Sequence, residues 1–159
     1  MRNAFAEEVF NLAKKDKEIV LLSGDIGNRL FDNFRKKFTN RFFNCGIAEA
    51  NMTGVAAGLA ATGFKPITYT IAPFNTIRCL EQIKLDICYP NLPVVLVGTG
   101  SGLSYATLGS THHSLEDISI LKSLPNIKIL CPSDPLEVKK LLKTAIKSKN
   151  PVYLRIGKK

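Results

Sequence analysis

Glu49 is the only charged residue between Arg41 and Lys65. Its neighbours in Asn44-Cys45-Gly46-Ile47-Ala48-Glu49-Ala50-Asn51-Met52-Thr53-Gly54-Val55-Ala56-Ala57-Gly58 are nearly all small or apolar. A carboxylate in such surroundings is costly, because removing an ionised group from water disfavours its charged form and raises its pKa. That is the character of an acid or a proton relay. The competing reading is structural: an acid at a helix start bonds free backbone amides and does capping work. Two other places offer chemistry. Phe74 sits in a Pro-Phe turn after a strand-like run, a position that faces ligands, although any one of nine Phe is as readily a core residue. Thr111-His112-His113 closes a long Gly-rich connection; adjacent histidines point in different directions, so a shared metal ion is not indicated, and His113 reads as a surface residue beside a helix. Asp25, two residues before Gly27, suits a tight turn.

The elements that must position these residues alternate along the chain. Ile19 to Leu22, Phe42 to Cys45, Ile67 to Thr70, Val94 to Val97, Ile127 to Cys131 and Val152 to Ile156 read as strands, mostly continuous apolar runs of the kind buried on both faces. Phe5, Val9, Leu12 and Ala13 recur at helical spacing, as do Ile77, Leu80, Lys84 and Ile87 with one polar interruption. Ser114-Leu115-Glu116-Asp117 reads as an N-cap with an acid three residues on, and Asp134-Pro135-Leu136-Glu137 adds proline at the first helical position. The fold class is α/β, three layers around a mostly parallel six-stranded sheet, with right-handed crossovers placing helices on both faces. Ligands of such sheets collect beyond the carboxyl ends of the strands. Gly98-Thr99-Gly100-Ser101-Gly102 imitates a dinucleotide fingerprint, but its spacing and the distant helix start argue against one.

The chain has 159 residues, 45% hydrophobic and 22% charged, which predicts one soluble domain with a real core. No apolar run is long enough to span a bilayer and the first residues carry acids, so the expected location is the cytoplasm. Cys45, Cys79, Cys88 and Cys131 are scattered in apolar surroundings and read as buried thiols. A net charge of +9 raises the question of nucleic acid, but the basic residues fall in separate clusters with no interleaved aromatics, as solvated helix faces and helix ends would have them. The small residues Gly54, Ala57, Gly58 and Ala61 permit close helix approach, within the subunit or between subunits.

Taken together, Gly46-Ile47-Ala48-Glu49-Ala50-Asn51-Met52, Pro73-Phe74, Gln82-Ile83, Leu92-Pro93-Val94, Thr111-His112-His113-Ser114-Leu115-Glu116-Asp117 and Cys131-Pro132-Ser133-Asp134-Pro135 resemble the pyrimidine-binding domain of the transketolase family. The match is to the C-terminal half of split transketolases and runs over essentially the whole chain. It implies thiamine diphosphate as cofactor. It also implies that Glu49 bonds N1′ of the aminopyrimidine, so that the neighbouring nitrogen can take the thiazolium C2 proton. Phe74 would stack on the pyrimidine. His112 would contact cofactor or substrate, and Asp25 would lie near the cofactor. The implied activity is two-carbon ketol transfer between sugar phosphates. A β-type subunit of a 2-oxo acid decarboxylase or dehydrogenase, or a non-catalytic interaction domain, are the alternatives.

The family binds the diphosphate and its Mg²⁺ on a separate domain through a Gly-Asp-Gly motif, which this sequence lacks; Gly24-Asp25-Ile26-Gly27 is only an echo of it. A diphosphate-binding partner, in a homodimer or heterotetramer, is therefore expected. The family's C-terminal domain is also outside this sequence. Where sugar-handling relatives carry a His after the fourth strand and an acidic Gly-x-Asp-Gly before the Thr-His pair, this chain has Thr99-Gly100-Ser101 and Thr107-Leu108-Gly109-Ser110.

Overall fold

A computed structural model describes residues 1–158. In chain order the main elements are α1 (Arg2–Lys15), β1 (Ile19–Ser23), α2 (Asp32–Lys37), β2 (Phe42–Asn44), α3 (Glu49–Ala61) and β3 (Lys65–Ile71). Then follow α4 (Leu80–Gln82), β4 (Val95–Thr99), α5 (Asp117–Lys122), β5 (Lys128–Leu130), α6 (Pro135–Ile146) and β6 (Val152–Ile156). Six strands form one sheet in the order β2-β1-β3-β4-β6-β5, and every pairing is parallel.

Alternation along the strands splits the core in two. Ile19, Leu21, Ile67, Tyr69, Val95, Val97, Val152 and Leu154 point to one face and pack against Phe5 and Val9 of α1, Phe34 of α2 and Val138 and Leu142 of α6. Val20, Leu22, Leu96 and Tyr153 point to the other, against Met52, Ala56 and Ala60 of α3, Ile83 and Ile87, and Leu121 of α5. The direction of travel decides which face a helix covers. Crossovers that move from β2 toward β5 carry α3, the 80–88 segment and α5 on one side, whereas those that move back carry α2 and α6 on the other. A right-handed crossover permits only this arrangement.

Four readings of the sequence change. The edge strands β2 and β5 are short and partly exposed, not buried on both faces as the other four strands are, because each has a single neighbour. The helix expected through Ile77, Leu80, Lys84 and Ile87 is a 3₁₀ turn, one α turn and then a π-helix over Ile83–Cys88, with Tyr89 N–H donating to the Lys84 carbonyl five residues back. The segment buries Cys79, Ile83, Ile87 and Cys88, so of the four expected positions only Ile87 is fully buried. Ser114 is not an N-cap: its backbone exchanges hydrogen bonds with Gly102 in an antiparallel bridge, and α5 begins at Asp117. Of the four thiols, Cys79 and Cys88 are buried, Cys45 is half-buried and Cys131 is exposed. At α6, Asp134 does accept the N–H groups of Leu136 and Glu137, with Pro135 at the first helical position. Among the described residues no helix is long and apolar enough to cross a membrane.

Candidate functional site

From β1 the chain turns one way to β2, and from β3 it turns the other way to β4, so the connections leaving their carboxyl ends diverge. Parallel sheets open a crevice at such a switch point. Gly24 and Asp25 leave β1 there, the 72–78 segment leaves β3, and the amino terminus of α3 enters between them.

Glu49 opens α3 and is 2% exposed. No side chain caps this helix, and the carboxylate is turned away from capping work: its Oε2 accepts from Arg78 Nη1 at 2.9 Å. The expected isolated acid therefore has a partner, delivered by the segment after β3. A Cβ built on Gly24 would come within 3.1 Å of Glu49 Cγ and 3.0 Å of Thr70 Oγ1, so the absence of a side chain at Gly24 is what lets the acid lie over the end of β3. Thr70 Oγ1 is buried and makes no hydrogen bond among the described residues.

Phe74 follows β3, where Ala72 and Asn75 lock the turn. Asn75 Nδ2 donates to the Val97 carbonyl and to Thr68 Oγ1, both at 3.0 Å, and is fully buried. This fixes the aromatic at the crevice. The Arg78 guanidinium lies 4.0 Å from the Phe74 ring centroid, and the His112 ring meets Phe74 edge to face, with centroids 5.1 Å apart. His112 is half-buried on a 3₁₀ turn, its Nδ1 2.9 Å from Thr111 Oγ1 and its ring also against Tyr105. His113 is partly exposed at the surface. Its Nε2 donates to the Ala106 carbonyl at 3.2 Å, since a carbonyl can only accept, and so ties the loop to itself. Asp25 adopts a positive φ of 53° and accepts from Asn44 Nδ2 at 2.9 Å, holding the end of β1 to the end of β2.

The structure thus brings Glu49, Phe74 and His112 into one continuous chain of contacts through Arg78, with Asp25 on the turn beside Gly24. Arg78 was not singled out by sequence reasoning. Its signal was present, because it is the only basic residue between Lys65 and Lys84. The glycines of the false fingerprint serve packing: a Cβ at Gly98 would meet Tyr153 Oη at 2.5 Å, and one at Gly100, where φ is +72°, would collide with the Tyr105 ring. A cleft of about 720 Å³ lined by Leu12, Lys65, Pro93 and Ile146 lies at the amino ends of β1 and β3, the end of the sheet away from this site. Among the described residues no group of three or more His, Cys, Asp or Glu is placed to hold a metal ion.

A doubly wound parallel sheet with an acid, an aromatic and a histidine gathered at its switch point has the layout of a ligand-binding α/β domain. A family model described as the transketolase pyrimidine-binding domain matches residues 1–159, and the chain belongs to that family. It is 38% identical over 158 residues to one of the subunits of the apulose-4-phosphate transketolase of Phocaeicola vulgatus, covering 99% of this chain and 51% of the relative. The same-named protein of Actinobacillus succinogenes is 39% identical over 160 residues, with 100% and 51% covered. A solved split-gene transketolase, described as an inactive β4 tetramer, superimposes with a TM-score of 0.86 at 36% identity, covering 98% of this chain and 50% of the other. The chain spans about half the length of the curated relatives it matches.

Proposed function

We propose that this chain is the pyrimidine-binding half of a cytoplasmic, thiamine diphosphate-dependent transketolase that passes two-carbon ketol units between sugar phosphates. The observation that carries the reading is the convergence of Glu49, Phe74 and His112 at the carboxyl end of the sheet. The residues suit an aminopyrimidine. A flat guanidinium already lies on Phe74 with an N–H aimed at Glu49, so the space accepts a planar group with polar edges. Thr70 Oγ1, buried without a partner among the described residues, offers a further polar contact beside the acid.

Thiamine diphosphate, when bound, supplies the electron sink that lets a ketose be cleaved next to its carbonyl. The chain's own residues orient and move protons. Glu49, nearly closed off from water, would be the residue that bonds N1′ of the ring and serves the proton there. Phe74 fixes the plane of the pyrimidine. His112, braced between Phe74 and Tyr105, would contact the substrate oxygen that gains negative charge. Asp25 completes the rim at the end of β1.

The diphosphate and its Mg²⁺ fall to a partner subunit or domain that carries hard oxygen ligands. Ile47, 79% exposed just before α3, and the exposed Leu103, Leu108 and Leu115 of the His112 connection form an apolar margin that suits coverage by that partner. The outward face of α3 adds Gly54 and Gly58, at which a Cβ would meet nothing within 4 Å. A homodimer of complete pairs or a heterotetramer would follow. The names of the relatives favour ketol transfer over decarboxylation of a 2-oxo acid.

The test is reconstitution with a diphosphate-binding subunit, offering sugar phosphates and 2-oxo acids in parallel. Ketol transfer that requires thiamine diphosphate, and that falls at least about a hundredfold in Glu49→Gln, is expected. Equal turnover by wild type and Glu49→Gln would remove the catalytic assignment.

A further inference from the structure

We propose that Arg78 is a built-in occupant of the pyrimidine's place, which covers Glu49 and Phe74 until the cofactor displaces it. The inference rests on the function proposed above. Arg78 makes two contacts, and both are contacts assigned to the cofactor ring: Nη1 donates to Glu49 Oε2 at 2.9 Å, and the guanidinium carbon Cζ lies over the Phe74 ring, 4.0 Å from its centroid. One face of an aromatic ring accommodates one flat partner. Since His112 meets Phe74 edge to face, the ring is bracketed by a histidine and by the guanidinium, and a pyrimidine stacking on the Arg78 side must first move the arginine.

The arrangement is built for release. The Glu49 side chain is 2% exposed but that of Arg78 is 44% exposed, so the acid stays and the cation can swing into water on its flexible stem. Arg78 is also the middle residue of a 3₁₀ turn that passes through a single α turn into the π-helix, a stretch with no long i to i−4 ladder to stiffen it. While the pair is closed, a buried carboxylate keeps a counter-ion and its cost is offset. The displacement that uncovers Phe74 also vacates the Glu49 oxygen that Arg78 holds, so one movement opens both contacts. Arg78 is on this view a positioning residue of the empty site, set against the cofactor as a competitor.

The experiment measures thiamine diphosphate affinity by titration calorimetry in the reconstituted pair, for wild type, Arg78→Met and Arg78→Lys. Methionine keeps an apolar stem and removes the guanidinium; lysine keeps the charge and loses the flat stack, and guards against misfolding of the first variant. Arg78→Met is expected to bind about three- to tenfold more tightly, since a half-exposed ion pair and cation–π contact no longer have to be broken. Arg78→Lys should fall between the two. As a second readout, the Arg78 Nη–H signals in NMR should be slowed in exchange in the free chain, where Nη1 donates to Glu49, and lose that protection at saturating cofactor. Unchanged or weaker binding by both variants, with wild type binding normally, overturns the inference alone. Failure of all three proteins to bind overturns the proposed function and this inference with it.

Discussion

Arg155 Nε donates to Asp117 Oδ2 at 2.8 Å, and Arg155 Nη2 donates to the Ser114 carbonyl at 3.2 Å, so one side chain of β6 ties down both ends of the Ser114–Asp117 segment. Asp117 is fully buried and also accepts from Tyr153 Oη at 2.8 Å and from Ile118 N–H at 3.0 Å. Ser114 directly follows Thr111-His112-His113. The connection that carries His112 is therefore anchored to the carboxyl end of β6 by this ion pair, and the bridge between Gly102 and Ser114 ties its start to its end.

Breaking that anchor should be expensive. Arg155→Met leaves Asp117 buried without its cation, and the loss of one partner of a buried pair costs about 3–5 kcal/mol. Urea denaturation followed by circular dichroism should show a lower midpoint with an unchanged slope. Tyr153→Phe removes only one of the donors and should cost about 1–3 kcal/mol.

Alkaline pH should separate the two buried phenols from the rest of the protein. Burial pushes Tyr69 from 10.0 up to about 12, and burial together with Asp117 holds Tyr153 well above its ordinary range. The unfolded chain loses these protons near pH 10 while the folded chain keeps them. The stabilisation is present in full below pH 10 and declines as pH rises from there toward about 12. For Tyr69 the span corresponds to about 3 kcal/mol. Tyr69→Phe retains the ring that stacks on Phe5 with centroids 5.3 Å apart, so its denaturation midpoint should fall less steeply above pH 10 than that of wild type.

Gly98→Ala is a sharp test of why the glycine-rich stretch has its composition. The new methyl would lie 2.5 Å from Tyr153 Oη and 2.8 Å from Cε2, and Tyr153 is held by Asp117. Either the phenol moves and its hydrogen bond breaks, or β4 shifts. A loss of about 1–3 kcal/mol is expected in thermal or urea unfolding. A neutral substitution would show that Tyr153 has room to retreat.

Much of this was legible in the sequence because burial writes itself into composition. The four inner strands are runs such as Ile19 to Leu22 and Val152 to Ile156, apolar on both faces, and their alternation with helical periods leaves little freedom of topology. Asp134-Pro135 marked a helix start for a local reason that no tertiary contact overrode. Ser114 and Asp117 carried the same kind of signal and were claimed by partners far along the chain, Gly102 and Arg155. The π-helix has a period that is neither 3.6 nor 2, and the isolation of Arg78 among uncharged neighbours marks it as unusual without pointing to a partner 29 residues away.

The bracing of His112 predicts a graded response. Thr111 Oγ1 is 2.9 Å from His112 Nδ1; a hydroxyl that donates there leaves the ring proton on Nε2. Thr111→Val removes that preference without touching the stack on Phe74. In the reconstituted pair, turnover should fall several-fold with cofactor affinity unchanged, whereas His112→Ala should reduce turnover by about 10²–10⁴. Equal turnover in His112→Ala and wild type would take His112 out of the reaction.

Gly24→Ala places a small load directly behind the acid. Its Cβ would stand 3.0 Å from Thr70 Oγ1 and 3.1 Å from Glu49 Cγ, distances tighter than ordinary contact but short of a collision. Thr70 belongs to the sheet and cannot yield, while Glu49 is attached at the first turn of α3 through two flexible bonds. The acid should therefore move by a few tenths of an ångström, away from β3 and toward Arg78 and the crevice. Because the backbone at Gly24 is not in the left-handed region, the fold should lose at most about 1 kcal/mol. The proton contact at N1′ is more demanding, since misplacement on this scale weakens a catalytic hydrogen bond far more than it weakens packing. Turnover of the reconstituted pair should fall at least about tenfold, with an unfolding midpoint close to wild type. A variant that unfolds early but keeps full turnover once folded would mean that the position of Glu49 is not what limits the reaction.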